Sequence, residues 1–303
     1  MKIVANVLAL LVMPFVIVGT INRVKARWAG RRGPPIFQLA FDLLRLVRKV
    51  PVYSTVTTPV FRIGPLVVAG TAVLSAAIVP LAGGVSIVSF PFDFVWFAYV
   101  WGLGRIALVL GALDTGSAFE GMGASREVTF ATLLEPVLFL VAGALCLHAG
   151  VRSLSAALVP QLDGPSAIVM WIAAIVAILI VVQVEAARMP IDDPTTHLEL
   201  TMVHEVMILD HSGPELAFLQ LGSAIKLFVG ISLAALLMNP LAGDGVLAAL
   251  VHVGLCIAIA IAIGLSESLV ARLKLRVVPQ YIVVALVAGG IALLSMLGRG
   301  GPG

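Results

Sequence analysis

The chain has 303 residues, 60% of them hydrophobic and only 12% charged, with a formal net charge of +3 and a mean hydropathy of +1.12. That balance excludes an ordinary soluble enzyme, and the small basic excess is no nucleic-acid signal. Cys146 and Cys256 lie far apart inside apolar runs with no CxxC, which argues against a disulfide framework and against an iron–sulfur cluster held by this chain.

Apolar runs of 18 residues or more recur along the whole length, and they predict a polytopic all-α membrane protein, a single integral membrane domain over 1–303. No strand alternation of the outer-membrane type is present. The first run, Ile3 to Thr20, has only Lys2 before it and no small-residue cleavage site after it, so it reads as a retained helix rather than a signal peptide. Eight spans are predicted, at 3–21, 65–82, 92–112, 128–148, 166–188, 215–238, 246–265 and 279–297. Gly and Pro punctuate the joints, as at Gly164-Pro165, Gly213-Pro214 and Asn239-Pro240. Gly121-Met-Gly123 reads as a glycine-rich turn.

Segment 22–64 carries nine basic residues and one acid, Asp42, and loop 266–278 carries Arg272, Lys274 and Arg276. The alternate loops are nearly bare of Lys and Arg. The positive-inside rule then places both termini on the non-cytoplasmic side of a bacterial or archaeal cytoplasmic membrane. Within 34–50, Gln38, Asp42, Arg45 and Lys49 fall on one helical stripe among apolar neighbours. This predicts an amphipathic helix on the cytoplasmic interface, either a plain anchor or one wall of a ligand entrance.

Several ionisable groups fall at membrane depth: Arg105, Glu135, Glu185, Arg188, Lys226 and Glu267. Each costs about 2.5–3.5 kcal/mol at a helix centre, so they are expected to face the bundle interior and pair. They form either structural ion pairs or a proton path. Glu185 and Arg188 are three apart and are expected to pair on one face. After Arg188 comes an acidic loop, about 189–214, that reads Pro190-Ile-Asp192-Asp193-Pro194-Thr-Thr-His197-Leu-Glu199-Leu-Thr-Met-Val-His204-Glu205. Asp193-Pro194 fits the start of a helix over about 194–211, and Gly213 fits its stop. His197, His204 and His211 would share a face, but their spacing is not that of a metal site. A polar face docked on a partner protein fits better. No nucleophile triad, phosphate loop or cofactor motif occurs, so no catalytic residue is assigned.

These residues resemble a known family, the eight-helix membrane subunit of complex I that meets the hydrophilic arm. More closely, the chain resembles the counterpart in group 4 NiFe-hydrogenases of the formate hydrogenlyase and hydrogenase-4 type. The carriers are Arg32-Gly33-Pro34-Pro35 with Gln38 and Asp42, Gly121-Met-Gly-Ala-Ser-Arg126-Glu127, Glu185-x-x-Arg188-x-Pro190, the acidic loop and Asp210-His-Ser-Gly213. Where complex I members have Gly-Ala-Leu-Arg, this chain has Gly111-Ala-Leu-Asp114, which favours the hydrogenase branch. The resemblance implies a subunit that holds a hydrophilic catalytic arm and couples its electron transfer to proton or ion translocation. Iron–sulfur and nickel–iron centres would sit in partner subunits, beside antiporter-like membrane subunits. Arg188, Asp192, Asp193, Glu199 and Glu205 would line the redox-facing cavity or loop, with Asp42 nearby. Glu127, Glu135, Glu185, Lys226 and Glu267 would continue the path inward. The alternatives are a quinone-binding subunit of an NADH:quinone oxidoreductase, with quinone in its cavity, and a purely structural anchor.

Overall fold

The computed structural model describes residues 2–161, 163–192, 202–241 and 245–297. Eight helices are long and apolar enough to span a bilayer. They are α1 (Lys2–Trp28), α3 (Pro59–Ile78), α4 (Asp93–Asp114), α5 (Ala118–Ala149), α7 (Pro165–Glu185), α8 (Gly213–Met238), α9 (Val246–Leu269) and α10 (Val278–Leu297). Two shorter helices complete the set: α2 (Gln38–Val47), within the segment read as interfacial, and α6 (Leu154–Ala157). All regular elements among the described residues are helical.

Local chemistry sets several of the ends. Pro59 opens α3 behind Thr58, whose hydroxyl accepts from the Val60 amide. Asp114, at the end of α4, accepts from the Thr58 amide at 2.6 Å, the Thr58 hydroxyl at 2.8 Å and the Phe61 amide at 3.3 Å. A carboxylate that departs from the complex I pattern thus caps the neighbouring helix. Gly150 ends α5 in the left-handed conformation, with its amide on the Cys146 carbonyl. On the face away from the acidic loop, Asp93 accepts from the Leu154 amide and the Ser153 hydroxyl and so anchors α6.

The core lies between α5, α7, α8 and α10, around Leu134, Met170, Phe228 and Ile282. Helix α8 is the central element: 78% of its apolar window is buried, against 28% for α1. Groups carried on α7 and α8 therefore meet in the interior.

Five local expectations change. Helix α3 begins at Pro59, six residues before the expected start, because the Thr58–Asp114 cap initiates it. Gly121-Met-Gly123 is no loop turn but part of the first two helical turns of α5. There Gly123 lets Val206 and Met207 pack against the helix: a Cβ would lie 2.9 Å from Met207 Cγ and from the Val203 carbonyl oxygen. Helix α7 stops at Glu185 rather than 188, and Ala187 takes a positive φ of 46°. The described part of the acidic loop is a 3₁₀ turn, Glu205–Ile208, rather than an α-helix to 211. The amides of Val203 and His204, just before it, go to Asp192, and the Met207 amide reaches the His204 carbonyl three residues back, the 3₁₀ pattern. Gly213 is not a stop; it opens α8 at φ 57°, packed against the Lys49 carbonyl. Residues 193–201, with Asp193, His197 and Glu199, lie outside the described residues.

Candidate functional site

Arg105, on α4, is buried in the bundle and gathers three carboxylates from two other helices. Its Nη1 lies 2.7 Å from Glu135 Oε1, and its Nη2 contacts Glu185 Oε1. Its Nε lies 3.3 Å from Glu127 Oε1. That atom makes no aligned hydrogen bond, so the Glu127 contact is an ion pair by proximity and the weakest of the three. The planar guanidinium has donors enough for several carboxylates at once, which a lysine ammonium could not array in this way.

Glu185 is the inner member, with only 3% of its side chain exposed. Its second oxygen accepts from Trp101 Nε1 at 2.6 Å and from Lys226 Nζ at 3.3 Å. The Lys226 ammonium also sits 5.4 Å above the Trp101 ring, a cation–π contact. Helices α4, α5, α7 and α8 thus supply two cations and three carboxylates. With every group ionised the cluster carries one net negative charge.

Glu135 differs from its partners because half of its side chain is exposed. It opens onto a cavity of about 710 Å³ between α4 and α5, lined by Arg105, Glu135, Gly102, Ile106, Val128 and Phe139. The cluster is therefore closed toward α7 and α8 and open at its flank.

Beyond Glu185 the chain makes two further anchors within seven residues. Arg188 turns away from Glu185 and lies 3.5 Å from Glu267 on α9, which Lys25 of α1 also meets at 2.9 Å. The expected Glu185–Arg188 pair is replaced because α7 ends between them. Asp192 is fully buried. One oxygen lies 2.7 Å from Arg272, and the other accepts from the Val203 and His204 amides at 2.9 and 3.1 Å. The Arg126 guanidinium holds the Met202 carbonyl at 2.7 Å. The near end of the acidic loop is thereby tied to α5 and to the loop after α9.

The far end is tied to the α2–α3 connection. The Val52 amide donates to Ser212, and the Tyr53 hydroxyl donates to Glu215 at 2.6 Å. That bond holds the Tyr53 hydroxyl above its usual proton affinity. His211 is buried and stacked on Phe61 at 3.9 Å between ring centroids. Burial pushes its pKa down to about 4. Its 3.6 Å approach to Glu215 therefore joins a neutral imidazole to a carboxylate and is no salt bridge. The expected outward His face is absent at this position.

Of the residues singled out in the sequence, Glu127, Glu135, Glu185 and Lys226 converge on Arg105. Glu267 stands apart with Arg188 and Lys25. Asp42 accepts from Gln38 on α2 at 2.9 Å and joins neither group. Glu205 opens the 3₁₀ turn, half-buried. Sequence reasoning named Arg105 as a charge at depth but gave it no place on the path, and it overlooked Trp101. Their spacing of four on one helix face was the available signal. Among the described residues, no group of three or more His, Cys, Asp or Glu is placed to hold a metal ion.

Comparison with known proteins adds to this geometry. The family model described as NADH dehydrogenase matches residues 1–297. The chain is similar to hydrogenase-4 component C of Escherichia coli, at 31% identity over 239 residues, 78% of this chain and 74% of that protein. It is also similar to formate hydrogenlyase subunit 4 of the same organism, at 27% identity over 281 residues, 90% of this chain and 91% of that protein. Among solved structures, a chain of the membrane-bound sulfane sulfur reductase, an archaeal respiratory membrane complex, shares the fold. Its TM-score is 0.77 at 20% identity, covering 95% of this chain and 98% of that one.

Proposed function

The chain belongs to the NADH dehydrogenase family, and from that premise we propose that it is the proton-coupling membrane subunit of a hydrogenase-type redox complex. The observation that carries this reading is the cluster around Arg105. Three carboxylates against two cations at membrane depth leave one charge that a single proton neutralises. Ion pairs that served packing alone would balance, since an uncompensated charge in the bilayer costs about 2.5–3.5 kcal/mol.

The stretch from Glu185 to Asp192 supplies the mechanical link. Glu185 belongs to the cluster, Arg188 holds Glu267, and Asp192 holds the acidic loop by its backbone. A catalytic arm seated on that loop acts through Asp192 on the end of α7. Any shift there changes how Glu185 is shared between Arg105 and Lys226, and with it the proton occupancy of the cluster. In this reading Asp193, Glu199 and Glu205 face the arm, and Glu127 and Glu135 continue the path toward the α4/α5 flank. Iron–sulfur and nickel–iron centres belong to the arm, antiporter-like subunits stand beside the chain, and both termini face away from the cytoplasm.

Glu185→Gln in the assembled complex tests this. The expected result is intact assembly with redox turnover slowed or no longer linked to proton movement. Normal turnover and normal pumping in that variant would refute the reading. A quinone in the α4/α5 cavity is the second reading. Its volume is in the range of ligand sites, and Arg105 and Glu135 offer a donor and an acceptor within an apolar wall. Turnover sensitive to a quinone-site inhibitor and lost in Phe139→Ala selects it.

A further inference from the structure

The Arg105 cluster has a second side, toward the face opposite the acidic loop. Directly beneath Glu185 and Lys226 lies a small void of about 10 Å³, lined also by Trp101, Val182, Gly230 and Leu233. A second void of about 30 Å³ follows, walled by Phe97, Val141, Leu145, Leu154 and Leu237. Leu138, Ile178 and Leu233 line both. Leu158 lines the second void and also an open cavity of about 440 Å³ at the far end of the bundle, where Ser155, Gly83 and Asn239 supply polar groups.

The two voids run along aligned stripes of four helices, α4, α5, α7 and α8. On α8 the stripe is Lys226, Gly230, Leu233 and Leu237, at steps of four, three and four, which is one helix face. On α7 it is Ile178, Val182 and Glu185. From Lys226 to Leu237 the rise is about 16 Å, roughly half of a ~30 Å hydrocarbon core. A water needs about 10–15 Å³, so the first void is at that threshold and the second exceeds it. The walls are hydrocarbon, so a continuous water file forms only when Leu233 and its neighbours shift.

We propose that this line of voids is a gated proton route through the chain itself, from Glu185 and Lys226 to the face opposite the acidic loop, with Leu138, Ile178 and Leu233 as the hydrophobic gate. The proposal rests on the coupling reading above and adds an exit that does not pass through Glu135 and the α4/α5 flank. The step is a proton transfer: an O–H bond of protonated Glu185 or an N–H bond of Lys226 breaks as a water in the first void takes the proton. The O–H bonds of successive waters then carry it to the far cavity, with no redox change.

The test uses the complex in liposomes, a pH-sensitive dye inside and an imposed potassium diffusion potential. Leu233→Asn, and independently Ile178→Thr, are expected to raise passive proton flux about tenfold or more, equivalent to lowering the barrier by about 1.4 kcal/mol. Leu233→Met is expected to leave it unchanged. Leu233→Trp, which fills both voids, is expected to cut turnover-linked proton release at the far face about tenfold while the complex still assembles. Unchanged flux in both polar variants, with normal release in Leu233→Trp, overturns the route. If Glu185→Gln still uncouples in that case, the coupling reading stands without it. Raised flux in the polar variants beside normal coupling in Glu185→Gln sustains the route and removes the reading.

Discussion

Replacing Arg105 by Gln removes the shared cation of the cluster, and the exposures of its partners set the size of the effect. Glu135 is half-exposed, so its pair with Arg105 contributes at most about 1 kcal/mol. The Glu127 contact at 3.3 Å lacks hydrogen-bond alignment and adds little. Glu185 is only 3% exposed, and stranding such a group costs about 3–5 kcal/mol. Lys226 at 3.3 Å and Trp101 at 2.6 Å remain on its other oxygen and keep the loss toward the lower end. The expected cost of Arg105→Gln is therefore about 3 kcal/mol, nearly all of it through Glu185. A double-mutant cycle with Glu185→Gln isolates that share, read by thermal unfolding of the purified subunit in detergent. The two changes together are expected to cost less than their sum by about 1–3 kcal/mol. Arg105→Lys restores the charge but not the fork, and is expected to recover only part of the loss. Additivity within about 0.5 kcal/mol would refute the reasoning, since Arg105 and Glu185 would then act independently despite their contact.

Three more outcomes follow from the same contacts. Gly123→Val would drive a branched side chain into Val206, Met207 and the Val203 carbonyl; the expected cost is about 1–3 kcal/mol, seen as faster proteolysis of the acidic loop. Asp192→Ala removes the carboxylate that meets Arg272 and two amides, and is expected to release the loop more than Asp192→Asn, which keeps one acceptor; hydrogen exchange at Val203 and His204 reads the difference. His211 has a folded pKa of about 4 against an ordinary 6.5. The folded state therefore binds fewer protons than the unfolded chain between those values. Its contribution is fully present above pH 6.5 and is lost as pH falls toward 4. His211→Phe keeps the stack on Phe61 and is expected to flatten that slope in pH-dependent unfolding.

The far-reaching part of the fold was readable from local chemistry. The length of an apolar run decides whether a segment spans a bilayer, and that property needs no knowledge of neighbours. Hence the number and order of the eight spans, and the charges lying at depth, follow from the chain alone. The boundaries that moved did so for tertiary reasons. Asp114 reaches across to start α3 at Pro59, and Val206 and Met207 pack on Gly123 in what reads locally as a turn.

Pairing was the part that sequence could not decide. Glu185 and Arg188 stand at the spacing of a helical ion pair, yet the helix ends at Glu185 and Ala187 turns the chain through a positive φ. Arg188 then meets Glu267, 79 residues away, and Glu185 meets Arg105, 80 residues away. Likewise Asp192 takes the amides of Val203 and His204, which an α-helix running to 211 would have bonded within itself, and a 3₁₀ turn follows at Glu205–Ile208. Sequence spacing says which groups share a face of one element. Which groups share a site depends on how separate helices pack, and only the tertiary structure brings Arg105, Trp101, Glu185 and Lys226 to one point.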